Sequence, residues 1–195
     1  RFIQTPDEAA AAIAAIGAPV VVKAVAPLLT HKNDAGGVIF PVSSPEAAQD
    51  ACRKIVHQVK MRRPEIVIDG FLVEAFRPAQ PEWIVALRQD PQFGPVIMFG
   101  LGGVFVEALR QVSFRLAPLS ATDVTALLTE HPATKLLSRK DSEKNGPSLG
   151  AVLQRLSALA VLPEVQLQIE EIEINPIVVG EQGPLALDAL IVLRS

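Results

Sequence analysis

The sequence predicts an α+β chain rather than a doubly wound parallel sheet. Helical patterns and apolar strands follow one another, and two strand pairs are joined by turns too short for a crossover helix. These are Asp90-Pro-Gln-Phe-Gly-Pro95 and Gly180-Glu-Gln-Gly183. Such turns return a strand antiparallel to its predecessor. A break near residues 64–74 separates a smaller N-terminal lobe, 1–73, from a larger C-terminal lobe, 74–195.

Composition sets the bounds. The 195 residues supply one sizeable domain or two small lobes. A chain that is 49% hydrophobic and 20% charged is globular in character. Its net charge of −3 argues against a general nucleic-acid binder. No apolar run approaches the length of a membrane span, and no signal-peptide pattern opens the chain. The single Cys52 forms no internal disulfide, which suits a reducing, cytoplasmic setting. It falls in a helical pattern and reads as a packing residue. A start at Arg1 without Met suggests a trimmed chain.

Taken in order, Thr5-Pro-Asp-Glu8 reads as a capped helix start, with Gly17 as its stop. Strands are expected at 19–25 and 37–42. Ser44-Pro45-Glu46 opens a helix to about Arg62 with Ala48, Cys52, Ile55, Val56 and Val59 as its buried stripe. A long strand is expected at 66–76, with Glu74 interrupting its apolar end, then strands at 82–88, 95–101, 104–107 and 112–116. Glu82 stands at the mouth of the first of these. Helices are expected at 121–130, 132–138 and 149–161. Residues 139–148, rich in charge and ending in Gly146-Pro147, read as a solvated loop. Two last strands are expected at 165–174 and 185–193.

Two stretches carry chemistry. The apolar run Pro19-Val-Val-Val leads into Lys23, and a Lys buried in a strand needs an anionic partner. His31, Lys32, Asp34 and the pair Gly36-Gly37 follow. A Gly-rich turn can form an anion-binding nest, and imidazole is a candidate nucleophile. The spacing is not that of a Walker A loop. By residue type alone, the segment is either a phosphate site or an ordinary turn with a solvent-facing His. At the other end, Glu171, Glu173 and Asn175 alternate onto one strand face, and the Gly180–Gly183 turn brings Asp188 back toward them. These oxygens suit a hard cation such as magnesium, or they form the plain polar face of a strand.

Together these segments resemble the ATP-grasp domain of ADP-forming acyl-CoA synthetases. The resemblance is carried by Pro19–Val38, Gly70–Glu82, Asp90-Pro-Gln-Phe-Gly-Pro-Val-Ile-Met-Phe-Gly-Leu-Gly-Gly-Val-Phe-Val-Glu107, Ser113-Phe-Arg-Leu-Ala-Pro118 and Glu173-Ile-Asn-Pro-Ile-Val-Val…Leu-Asp188. The last stretch is also similar to the succinyl-CoA synthetase β-subunit. The resemblance implies an ATP-grasp fold of two lobes with mainly antiparallel sheets and MgATP or MgADP between them. It implies a ligase that interconverts acid, CoA and ATP with acyl-CoA, ADP and phosphate. A CoA-binding α part, as a separate subunit or as N-terminal domains of the full-length chain, would handle the acid and CoA.

Roles follow from the same resemblance. His31 matches a phosphate-carrying histidine, and Glu173 a glutamate that steadies phosphohistidine. Lys23 matches a phosphate-gripping lysine, and Glu74 a glutamate at the adenosine edge. Glu82 is placed with the nucleotide-binding residues. Gly102 and Gly103 would offer backbone N–H groups to the travelling phosphoryl group. Asn175 and Asp188 match magnesium ligands. Arg115 either counters phosphoryl charge or forms a structural ion pair. Two rival readings stand beside this one. The first is a non-catalytic nucleotide-binding regulatory module of a protein lysine acetyltransferase-type fusion. The second is an ATP-grasp ligase that makes an acyl phosphate without phosphohistidine.

Overall fold

A computed structural model describes residues 1–29, 32–77, 81–103, 111–132, 134, 139–180 and 183–194, with the backbone alone for 139–148. The chain divides into two compact units, Arg1–Pro78 and Ala79–Ser195. The first unit thus runs a few residues beyond the expected break at 73/74. The reason is the strand β4 (Gly70–Ala75), which pairs with two other strands of the first sheet and keeps Glu74 there.

In the first unit the Glu8 carboxylate accepts the Thr5 N–H at 3.0 Å, and the chain enters helix α1 (Ala9–Ile16) through a single 3-10 turn. Gly17, at φ 90°, stops α1 in a conformation that side chains other than glycine rarely adopt. Helix α2 (Pro45–Arg62) starts where the Ser44 hydroxyl accepts the Ala47 N–H at 3.1 Å. Its buried residues are Ala48, Ala51, Cys52, Ile55 and Val59. Val56, expected among them, is exposed. At roughly 100° per residue it lies beyond one edge of the arc centred on Ala48, Ile55 and Val59, and Ala51 fills the other edge. Cys52 is the packing residue expected: burial pushes its thiol up to about 11.

The four strands of this unit are β1 (Phe2–Ile3), β2 (Val20–Val25), β3 (Val38–Val42) and β4, in the order β1-β4-β2-β3 with every pair antiparallel. Val20, Val22 and Ala24 of β2, with Phe71 and Val73 of β4, pack into the core with the helices. Val21, Lys23, Leu72 and Glu74 therefore project from the opposite face. Residues 66–69, expected to begin the long strand, precede it instead. The Ile66 N–H bonds to Arg63 O at 3.0 Å, so the chain is still turning out of α2 there.

The second unit holds β5 (Trp83–Asp90), β6 (Gly94–Leu101), β7 (Val112–Leu116), β8 (Ile169–Gly180), β9 (Gly183–Ala186) and β10 (Ala189–Leu193). The sheet runs β10-β8-β5-β6-β7, β9 pairs with the far half of β8, and all pairs are antiparallel. Both expected turns close as hairpins, with Asp90 opposite Gly94 and Gly180 opposite Gly183. In the first, Asp90 Oδ1 accepts the N–H groups of Gln92 and Phe93, which holds its carboxyl below the usual range. Trp83, Val85, Leu87, Ile97, Phe99, Leu101 and Ile172 pack against α3 (Ala121–Glu130) and the later turns of α4 (Arg139–Leu159).

Two expectations are corrected here. Residues 139–148 are the first half of α4, not a loop. The Gly146-Pro147 pair reads as punctuation, but the Arg, Lys and Glu residues before it are good helix formers. Beyond it, Leu149, Leu153 and Leu156 anchor the helix at helical spacing. Residues 165–168 belong to helix α5 (Pro163–Gln168), not to a strand. Pro163 presets its first turn and outweighs the apolar alternation of Val165, Leu167 and Ile169. The strand expected at 104–107 and most of the helix expected at 132–138 lie outside the described residues. Among the described residues, no helix is long and apolar enough to cross a membrane.

The helix α2 register makes a direct test. Ile55→Ala should lower the unfolding free energy by about 2–5 kcal/mol in urea titrations, and Val56→Ala by less than about 0.5 kcal/mol. Equal losses at the two sites would contradict the register.

Candidate functional site

The first cluster grows from the alternation in β2. Lys23 faces away from the helices and is only 9% exposed. Across the ladder it lies opposite Leu72, while Glu74 lies opposite Val21, so Lys23 and Glu74 are diagonal neighbours on one face. Lys23 Nζ stands 2.7 Å from Glu74 Oε2. The anionic partner that a buried Lys requires is thus present within the sheet. This pairing was legible in principle, since each strand carries one charge in an otherwise apolar run, but the sequence reading placed the two residues in different lobes.

His31 lies outside the described residues, and its placement is not described. The chain on either side of it is tied down. Leu29 and Ala35 are buried in the first core. The Gly36 N–H donates to Asn33 O at 2.9 Å, the Gly37 N–H to Lys32 O at 2.7 Å, and Arg62 of α2 donates to Asp34 O at 2.8 Å. The expected anion nest is therefore not displayed at Gly36-Gly37, because both N–H groups are engaged inside the loop. Gly36 adopts φ 71° against the Gln58 side chain, so the glycines serve the turn itself.

The second cluster grows from the alternation in β8. Ile172 and Ile174 point to the core, so Glu171, Glu173 and Asn175 occupy the other face, as expected. β9 and β10 both flank β8, and Asp188 sits in the gap between them. Its carbonyl accepts the Asn175 N–H at 3.1 Å, and the Leu187 N–H reaches Pro176 O at 2.9 Å. The fold thus places Asp188 beside Asn175 by backbone bonds. The Asp188 carboxylate accepts the N–H of Ala189 at 3.0 Å.

β6 runs into the glycine turn beside this strand. The Gly102 N–H donates to Glu82 O at 2.8 Å. The Gly103 N–H donates to Asn175 Oδ1 at 3.0 Å, and Asn175 Nδ2 donates to Glu173 Oε1 at 3.3 Å. Gly103 has φ 61°, and a Cβ added there would meet Glu82 Oε2 at 1.8 Å. Glu82, Gly102, Gly103, Glu173 and Asn175 are thereby brought together. Both glycine N–H groups, expected to meet a phosphoryl group, are engaged with the protein itself. The burial of Glu82 against this turn pushes its carboxyl above the usual range.

Two other charges complete the picture of this unit. Arg115 forms an ion pair with Glu130 at the end of α3, the structural option of its two readings. Glu171, on the face expected from its alternation with Glu173 and Asn175, is half-buried. Burial raises its pKa first, Arg88 across the ladder opposes that rise, and Glu173 and Glu170 add to it.

A magnesium ion fits the donor set. Among the described residues no three His, Cys, Asp or Glu side chains gather as a metal cluster. Asn175 on β8 and Asp188 in the gap between β9 and β10 offer an amide oxygen and a carboxylate, both hard donors. Magnesium characteristically takes one or two protein oxygens and completes its octahedron with water and phosphate.

The chain is similar to known proteins along nearly its whole length. The profile of the ATP-grasp domain family matches residues 1–193. The β subunit of ADP-forming acetate–CoA ligase I of Pyrococcus furiosus is 40% identical over 196 residues, covering 99% of this chain and 83% of the relative. An acetyl-coenzyme A synthetase of Candidatus Korarchaeum cryptofilum, solved with coenzyme A, Ca-AMPCP and HgCl+, superposes with a TM-score of 0.87 at 41% identity, over 100% of this chain and 84% of the other. The same synthetase with coenzyme A and Mg-AMPPCP, its phosphohistidine segment pointing towards the nucleotide site, gives a TM-score of 0.75 at 37% identity, with 100% and 84% covered. These relatives are ligases, and the reading as a regulatory acetyltransferase module finds no support among them. The chain belongs to the ATP-grasp domain family, in the β-subunit type of the ADP-forming acetate–CoA ligases.

Proposed function

We propose that this chain is the ATP-grasp part of an ADP-forming acid–CoA ligase, in which acyl-CoA, ADP and phosphate are interconverted with acid, CoA and ATP. The observation that carries the reading is the end-to-end likeness to a synthetase solved with a magnesium nucleotide and a phosphohistidine segment. The CoA-binding part, which receives the acid and CoA, is supplied by another subunit or domain. In the ATP-forming direction the N–P bond of phosphohistidine breaks as an oxygen of the ADP β-phosphate forms the new P–O bond, and His31 returns to neutral imidazole. Such a transfer relies on positioning and charge neutralisation.

Each candidate residue has a matching physical task. Lys23 neutralises nucleotide phosphate, and Glu74 holds the ammonium in place through the ion pair on the sheet face. In this reading Glu74 acts through Lys23 as well as at the adenosine edge. Asn175 and Asp188 hold magnesium, which when bound would screen the phosphate charge. Glu173 accepts an imidazole N–H and so orients the phosphate carrier. Glu82 shapes the Gly102-Gly103 turn, whose tight approach leaves no room for a side chain.

Three experiments test the reading. Asp188→Ala should weaken ADP binding much more with magnesium than in EDTA, and equal loss in both conditions would remove the metal role. Lys23→Met keeps the aliphatic stem and removes the charge. Calorimetry should show ADP affinity falling at least tenfold, or ~1.4 kcal/mol. Unchanged affinity in a folded variant would restrict Lys23 to the structure of its sheet. His31→Ala, in the ligase assembled with its CoA-binding part, should retain nucleotide binding and abolish ATP formation. Labelled ATP should place acid-labile, base-stable phosphate on His31 of the parent enzyme. A variant that keeps most of its ATP-forming rate would favour direct transfer through an acyl phosphate.

A further inference from the structure

The amide of Asn175 has a determined orientation. Its Oδ1 receives the Gly103 N–H at 3.0 Å and its Nδ2 faces the Glu173 carboxylate at 3.3 Å. Turned over, it would set an NH2 group against an N–H and an oxygen against a carboxylate. One planar group therefore fixes two partners. On one side is the turn by which the backbone leaves β6. On the other is the candidate partner of the phosphate carrier. Only glycine fits at this turn, because Gly103 is at φ 61° and Glu82 Oε2 fills the place of a Cβ.

We propose that Asn175 is a positioning residue in its own right. Its amide couples the Gly103 turn to the Glu173 carboxylate, with or without a metal ion. The inference rests on the reading of the glycine turn and Glu173 as parts of the nucleotide and phosphoryl site. It goes beyond a ligand role, which would use only the oxygen and would matter only when the metal is bound. The Oδ1 atom has two lone pairs, so holding Gly103 does not prevent it from facing a cation. A cation there would polarise the amide and strengthen its donation to Glu173, linking metal occupancy to the carboxylate that steadies the histidine.

A reversal of the bond separates this role from ligation. Asn175→Asp keeps an oxygen for both Gly103 and a metal, but sets one carboxylate against another. Adding Glu173→Gln restores a donor–acceptor pair with its direction reversed and returns the total charge to that of the parent. The chain is studied free of nucleotide and in EDTA, by amide hydrogen exchange at Gly103 and then by calorimetry with ADP. Asn175→Asp should speed Gly103 exchange by about tenfold or more and weaken metal-free ADP binding about tenfold. The double variant should recover both to within about threefold of the parent. Parent-like exchange in Asn175→Asp, or no recovery in the double variant, overturns the coupling. Metal-free ADP affinity that stays constant while exchange moves overturns the positioning role at the nucleotide. The magnesium dependence of Asp188→Ala is read separately, so a failure of the metal assignment is distinguishable from a failure of this proposal.

Discussion

Each sheet is covered by helices on one face, and that constraint governs where chemistry can sit. In β2, Val20, Val22 and Ala24 are committed to the first core, so Lys23 has only the opposite face available. In β8, Ile172 and Ile174 are turned to the second core, which puts Glu173 and Asn175 on the other side. A slip of one residue in either strand would drive a charge into the helices and expose an apolar row, so the core fixes the register of the site. Burial of the helix-facing side chains is thus also what aims the polar ones.

A polar residue in such a strand must still be satisfied, and here the satisfaction is built from neighbours that can also meet a ligand. Lys23 is held by Glu74, a carboxylate on the adjacent strand, which keeps the ammonium extended over the sheet. Asn175 is held by a backbone N–H and a carboxylate. An amide oxygen has two lone pairs, so Asn175 can take a metal partner without losing its structural one. Groups already oriented in this way need less reorganisation when charge arrives.

The sequence made the candidate strands legible through their patterning. The charge that interrupts the apolar run 19–25 identified Lys23, the alternation in 171–175 identified Glu173 and Asn175, and the Gly180–Gly183 turn predicted that Asp188 would return beside Asn175. Three-dimensional partners were less legible. Gly103 and Asn175 are far apart in the chain, and their contact follows from sheet order and from the bulged register between β5 and β8. The Gly36-Gly37 pair misled in the other direction. Its composition is that of an anion nest, but its N–H groups are taken by the carbonyls of Asn33 and Lys32. A glycine pair announces a special backbone course without saying what its amides face. The first half of α4 was missed for a related reason, since a Pro in a helix interior is a penalty that neighbouring packing can offset.

The ties around the histidine segment set a physical condition on any phosphate relay. Leu29 and Ala35 are anchored in the core, the Ala24 N–H holds Gly37 O at 2.7 Å, and Arg62 holds Asp34 O. Consecutive Cα atoms are about 3.8 Å apart, so a residue two steps from a buried anchor has a reach of only about 8 Å at its Cα while that anchor holds. A carrier that visits two distant centres must therefore release some of these bonds. The Arg62 contact to Asp34 O is exposed, whereas Gly37, like Leu29 and Ala35, is buried. Breaking the exposed Arg62 contact alone leaves the reach from Leu29 unchanged, so a longer excursion also has to free Leu29 from the core.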